Sequence, residues 1–278
     1  MNDPNVSNPT VAADISARAK VELQEPLEAQ LEPLGRRALS ALSPRPGERI
    51  LDIGCGTGAT SIELAHRVGR HGEVLAIDIS PIVLEAAARN SAGCAQLRFV
   101  EGDAGTYPFA LQSFDAAFSR FGVMFFADPV AAFRNIRRAL KPGGRLAFVC
   151  WRALRENDLD HVPLQAASPY LPLQLPDPAA APPFAFADAR KVRDVLAGAG
   201  FEEIDIVPHD VPVGSGDLDT MLALSLRVGS LGAIVREHPL LGPVLAGPVR
   251  KALAAHDGPD GVRLNAATWI VSARAKQA

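Results

Sequence analysis

The chain has 278 residues, 48% of them hydrophobic, enough for one large α/β domain with an appended cap or for two small domains around a cleft. Its 28 Lys plus Arg stand against 31 Asp plus Glu, a formal charge of -3 with no basic block, which argues against the clustered positive field that sequence-independent nucleic-acid binding requires. Three cysteines (Cys55, Cys94, Cys150) lie far apart without Cys-x-x-Cys spacing and no two histidines have ligand spacing, so neither a disulfide framework nor a metal site is expected.

The opening MNDPNVSNPT is polar and turn-rich, and the first dozen residues are expected to be loose. It lacks the charged and apolar regions of an export signal, and no later run reaches the roughly 18 apolar residues of a membrane span. A soluble, cytoplasmic protein without a membrane partner is therefore expected. From Ile15 to Leu42 apolar residues recur at helical spacing, and Pro26 and Pro33 predict two or three short helices rather than one. After a turn-rich connector, Ser43 to Glu48, strand and helix alternate. Strands are predicted at Arg49 to Ile53, Glu73 to Asp78, Leu97 to Val100, Phe114 to Ser119 and Gly144 to Trp151. Helices are predicted at Thr57 to Val68, Pro81 to Ser91 and Pro129 to Leu140. Such alternation means βαβ units and a parallel, doubly wound sheet.

The period breaks from Arg152 to Ala187, where the prolines cluster and no helix or strand pattern is long enough to read, so this stretch is expected to be a lid over a substrate. A helix from Asp188 to Ala199 ended by Gly200, a strand from Phe201 to His209, a mostly helical stretch from Leu218 to His256 broken at Pro239, Pro243 and Pro248, and a last strand from Ala266 to Ala275 complete the chain. The expected organisation is a tail and cap helices over 1–43, a ligand-binding core over 44–151, a lid over 152–187, and completion of the sheet over 188–278 with a helical insertion at 218–256.

The stretch ERILDIGCGTGATSIELA, Glu48 to Ala65, places Gly54, Gly56 and Gly58 between a strand and a helix. A tight turn feeding a helix N-terminus suits an anionic or adenosine-bearing ligand. With Ala59 the loop satisfies the dinucleotide pattern, and Asp78 at the end of the next strand supplies the ribose-binding acid, so the loop alone does not separate NAD from S-adenosylmethionine (SAM). Asp52 does: two residues ahead of Gly54, its carboxylate repels a pyrophosphate and attracts an ammonium group. Asp103 in EGDAGTYPF follows the third strand, where a carboxylate accepts from an adenine amine.

The segments ILDIGCGTG, AIDIS, VEGDA and LKPGGRLAFVCW, in this order and spacing, resemble the motifs of class I SAM-dependent methyltransferases, in particular the small-molecule group related to the ubiquinone and menaquinone biosynthesis enzymes. The resemblance implies an α/β fold with a seven-stranded, doubly wound Rossmann-like sheet, parallel except for an antiparallel last strand, Ala266 to Ala275, beside Phe201 to His209. It implies SAM as cofactor and S-adenosylhomocysteine as product. Gly54, Cys55, Gly56 and Gly58 would pass under the methionine and ribose, Asp52 would hold the ammonium directly or through water, Asp78 with Ile79 would meet the ribose, and Asp103 and Ala104 the adenine; Ser119, after the fourth strand at the carboxyl edge where open α/β sheets place ligands, is a further cofactor-binding candidate.

Each role has a plainer rival. Asp78 and Ser80 both suit the N-cap of the next helix, Asp103 suits a local turn, and Cys55 suits a small apolar filler. Arg120 suits either an anionic substrate or an ion pair with Asp128. Of the stripe Phe121, Met124, Phe125 and Phe126, most is expected in the core and one ring near the sulfonium. Methyl transfer demands alignment and a dry pocket, with a general base only where the acceptor must lose a proton. His161 and His209 are the candidates for that base; His66 and His71 fall at the wrong end of the sheet. The expected function is methylation of a small, partly apolar acceptor, by a monomer or a homodimer. Its rivals are a non-catalytic SAM-binding module, a protein or RNA methyltransferase, and, more remotely, an NAD-dependent reductase.

Overall fold

The computed structural model describes residues 9–172 and 182–276. Residues 1–8 of the opening and 173–181 of the lid predicted from sequence lie outside those residues, while 9–12, expected to be loose with the opening, begin a helix. Seven strands form one sheet in the order β3-β2-β1-β4-β5-β9-β6. These are β1 (Arg49–Ile53), β2 (Glu73–Asp78), β3 (Leu97–Glu101), β4 (Phe114–Arg120), β5 (Leu140–Trp151), β6 (Phe201–Val213) and β9 (Leu264–Ala275). β9 alone runs antiparallel, inserted between β5 and β6. The strand order reverses between β1 and β4, and the crevice at the carboxyl ends of those strands is where open α/β sheets bind ligands.

Helices cover both faces because β1, β4 and β5 are apolar on both, as buried parallel strands are. On one face α2 (Gln24–Leu42) packs on β4, β5, β9 and β6, and α3 (Ala59–Val68) on β1 and β2. On the other, α5 (Pro129–Ala139) and α7 (Ala189–Gly198) enclose Phe133, Phe148, Phe186 and Phe201, whose rings lie 5.6 to 6.4 Å apart in tilted, stacked and edge contacts. A second apolar core, including Leu164, Met221, Leu231, Leu245, Val249 and Leu253, joins α6 (Asp158–Ala167), α8 (Leu218–Arg227), α9 (Gly229–Glu237) and α10 (Leu241–Ala254) into a helical cap. The cap is tied to α1 (Pro9–Glu22) by the Glu22–Arg227 ion pair, and to α2 by Gln30 Nε2 donating to Ser215 Oγ at 3.0 Å. Among the described residues no single helix is long and apolar enough to cross a membrane; α8 and α9 would suffice only together, and they bend by 58°.

The N-terminal stretch forms two helices, within the two or three expected, but the break falls at Leu23 rather than at a proline. α1 begins at Pro9, and α2 runs unbroken through Pro33. Pro26 falls in the first turn of α2, where the missing N–H has no intrahelical partner to lose, and the carbonyl Pro33 leaves free belongs to exposed Ala29, open to water. α10 likewise contains Pro248, opposite exposed Val244. The segment predicted to lack structure holds α6, with Asp158 and Asp160 in its first turn and Pro163 inside. β6 continues past His209 to Val213, and a two-residue hairpin, β7 (Asp257–Gly258) and β8 (Gly261–Val262), precedes β9. The Gly143-Gly144 turn is absorbed into β5 as an irregularity that shifts its register against β4 between Phe114 and Ala116.

Candidate cofactor and active site

At the end of β1 the chain turns left-handed at Gly54 (φ 68°), and the N–H groups of Gly54 and Cys55 both donate to the Ile77 carbonyl of β2, at 2.8 and 3.2 Å. A Cβ on Gly54 would sit 2.8 Å from the Cα of Gly122, so two backbones cross here and only glycine fits. Ser119 clasps the crossing: its hydroxyl donates to the Ile53 carbonyl at 2.8 Å and accepts from the Gly122 N–H at 3.1 Å. Ser119, expected on the cofactor side, is fully buried, its hydroxyl turned to the neighbouring loop from its position on β4. Gly56 (φ 55°) is the opposite case: nothing lies within 4 Å of where its Cβ would be, and the loop offers bare backbone to open space. Gly58 caps α3.

Asp78 accepts from the Gly56 N–H through Oδ2 and from the Ser80 N–H through Oδ1, both at 3.0 Å. It ties the loop to the start of α4 (Pro81–Asn90), while the Ser80 hydroxyl makes no cap bond. Ile79 beside it is 70% exposed, an apolar surface flanking the loop. Asp103 Oδ1 accepts from the Gly105 N–H at 2.7 Å, the local turn that was the plainer reading, and its side chain remains exposed at the sheet edge. Ala104 is buried, and Asn135 of α5 holds this loop by donating to the Ala104 and Tyr107 carbonyls at 3.1 and 2.9 Å.

Asp52 differs most from expectation. Its side chain is 0% exposed, because β1 pairs Asp52 with Ala76 and Phe118 in mid-sheet and turns it under α3. Oδ2 accepts from the Thr60 and Ser61 hydroxyls at 2.9 and 2.6 Å, and Oδ1 has no partner. Burial pushes this carboxyl up to about 6, against the pull of the two hydroxyls and of Arg120. Cys55 is also buried, its thiol pushed up by burial, and it packs with Ala76 and Leu84 as an apolar filler.

Arg120 is not open to a substrate anion. Its two terminal nitrogens donate to the two carboxylate oxygens of Glu28 on α2, at 2.6 and 2.5 Å, and its stem lies over Gly35, where a Cβ would come within 2.5 Å of Arg120 Cδ. Asp128, the partner suggested from sequence, caps α5 by accepting from the Ala131 N–H at 3.0 Å. His161 lies on α6, in a helix rather than a loop. His209 lies on edge strand β6, four strand spacings or roughly 19 Å from β1. Its Nε2 is buried without a partner, and its carbonyl accepts from the Thr268 hydroxyl at 2.7 Å. That spacing sets His209 apart from the glycine loop.

Trp151, as the partner of Phe121, and Lys20 escaped the sequence. Phe121 follows Arg120 in a left-handed conformation (φ 60°) and stacks on Trp151 with ring centroids 4.1 Å apart. Backbone strain in a non-glycine residue at a strand's carboxyl end is the kind stored at working sites. Met124 is buried and accepts from the Trp151 N–H through sulfur at 3.4 Å, while Phe125 is 58% exposed. Lys20 on α1 is exposed and stands within the fields of the Asp78 carboxylate and the Arg236 guanidinium. A signal for Lys20 existed only in its helix, whose packing on α4 and α9 is tertiary.

Residues 50–144 match the methyltransferase-domain family. The chain is 39% identical over 118 residues to aklanonic acid methyltransferase of Streptomyces sp. (strain C5), a match covering 42% of this chain and 54% of that one. It is 38% identical over 109 residues to demethylmenaquinone methyltransferase of Staphylococcus aureus, covering 39% and 45%. The chain thus spans about half the length of the curated relatives it matches. The YcgJ protein of Bacillus subtilis shares its fold, at 16% identity and a TM-score of 0.57 over 88% of this chain and 98% of that one. Over residues 50–144 the chain thus resembles the methyltransferase domain, and the crossed glycine loop, the acid at the end of β2 and the sheet order accord with the fold of class I SAM-dependent methyltransferases.

Proposed function

We propose that the protein transfers the methyl group of SAM to a small, partly apolar organic acceptor enclosed between the carboxyl edge of the sheet and the helical cap. The observation that carries this reading is the open cradle at Gly56, flanked by Asp78 and backed by the unpartnered Oδ1 of Asp52. An orphaned buried carboxylate oxygen fits a cationic ligand and disfavours a diphosphate. Bound SAM would supply an electrophilic methyl on sulfur. The chain's part is to bind and align: Asp78 has lone pairs left for ribose hydroxyls, Asp103 and the Ala104 backbone stand where adenine would lie, and the negative charge of Asp52 favours the ammonium. Phe121 and Trp151 form an apolar wall, and the cap excludes water.

Alignment of this kind contributes up to roughly 7 to 11 kcal/mol. No general base is assigned, since His209 is remote from the loop and an acceptor ionised at neutral pH needs none. The small-molecule acceptors named for the two relatives support the substrate class, and the absence of a basic block supports a role without nucleic acid. The free cysteines fit a reducing cytoplasm. Calorimetry with SAM, S-adenosylhomocysteine and NADH is the primary test. Heat from NADH and silence from both sulfur ligands overturns the assignment. SAM binding without turnover on a panel of hydroxyquinones, phenols and aryl carboxylic acids leaves the non-catalytic module as the better reading.

A further inference from the structure

Asp52 presents a physical problem that the proposed function does not resolve. A carboxylate with no solvent exposure costs several kcal/mol unless hydrogen bonds or a counter-charge hold it. Among the described residues, the only hydrogen bonds it receives come from two adjacent residues of the first turn of α3, Thr60 and Ser61, themselves 9% and 0% exposed, and both go to the same oxygen, Oδ2. The charged and titratable groups around it are Arg120 of β4, already paired to Glu28, Asp78 of β2, and the Cys55 thiol in the loop. Arg120 favours the ionised form and Asp78 opposes it. Nothing satisfies Oδ1.

We infer that Thr60 and Ser61 are positioning residues for cofactor binding: by fastening Oδ2 they hold the Asp52 carboxylate ionised beneath the glycine loop, so that its charge, with Oδ1 unmatched, favours the ammonium end of the ligand. This rests on the proposed function and deepens it. Two adjacent hydroxyls suit the task for a reason of geometry. Successive helical residues lie roughly 100° apart around the axis, yet hydroxyl donors rotate freely and demand no charge of their own, and here both turn to meet the one acceptor, Oδ2. The buried upward pull on the carboxyl and the downward pull of the two donors agree with this arrangement.

The test is calorimetry at pH 6 and pH 8.5 on the full chain, with Thr60→Val, Ser61→Ala, the double variant and the conservative Thr60→Ser. Three probes are used: SAM, S-adenosylhomocysteine and 5′-methylthioadenosine, which keeps the adenosine and lacks the ammonium. The double variant is expected to bind SAM and S-adenosylhomocysteine about tenfold or more weakly at pH 6, in line with loss of hydrogen bonds to a charged group, with most of the affinity returning at pH 8.5. Affinity for 5′-methylthioadenosine stays unchanged, and Thr60→Ser behaves as wild type. Should the double variant fail to fold, Thr60→Val alone is expected to move the same way by a smaller factor. Equal loss for all three probes at both pH values, or no loss for any, overturns the inference. Wild-type protein that binds none of the three removes the proposed function itself, a distinct result.

Discussion

Replacing Asp52 with Asn tests the electrostatics of the site without changing its shape. Burial raises the Asp52 carboxyl from 3.8 to about 6, equivalent to ~3 kcal/mol. The sign follows from proton counting. Between those two values the folded chain holds a proton that the unfolded chain has released, so this group's contribution to stability falls as pH rises, and the full cost is present above pH 6. Asn carries no such dependence. Any fixed difference between the two side chains, such as a buried amide hydrogen without an acceptor, cancels when the comparison is made across pH. Urea titrations of the ligand-free protein are therefore expected to show the variant gaining ~2 kcal/mol on wild type between about pH 4.5 and 8. With saturating SAM the order reverses at pH 8, because the ligand stabilises whichever chain binds it more tightly. A gap between variant and wild type that stays flat across pH refutes the reasoning, for it would mean the carboxyl titrates as in an unfolded peptide.

Gly54→Ala places a methyl 2.8 Å from the Gly122 backbone at a left-handed φ, and is expected to lose ~2 kcal/mol or more and most SAM affinity, measured by thermal melt and calorimetry. Gly56→Ala, with open space at its Cβ, is expected to lose less stability and to show its deficit in SAM binding. Arg120→Met leaves Glu28 half-buried and unpaired, and a loss of about 1–3 kcal/mol in urea titration with little change in acceptor KM would separate an anchor of α2 from a substrate-binding arginine. His161→Ala with His209→Ala is expected to leave the pH dependence of turnover unchanged; a lost limb in that profile would restore one of them as a base.

The features of this protein that can be read along the chain are those whose physics is local. The glycine spacing from Gly54 to Gly58, the acid at Asp78 and the alternation of apolar strand with amphipathic helix each lie within a window of a few residues, and the sheet followed from them. Proline was read too severely at Pro33 and Pro248, because whether a helix survives a missing N–H depends on whether the freed carbonyl meets water, and that depends on which face the cap covers. The site diverged from expectation wherever two distant segments meet. Ser119 became a clasp because Gly122 passes against Gly54, and Arg120 became an anchor because α2 lays Glu28 across it, 92 residues away in sequence. Sequence alone determined that this chain has a carboxylate two residues before a triple-glycine turn. Only the tertiary structure decided that α3 closes over that carboxylate and leaves one of its oxygens unmatched, since desolvation is a property of everything packed around a group and not of the residues beside it in the chain.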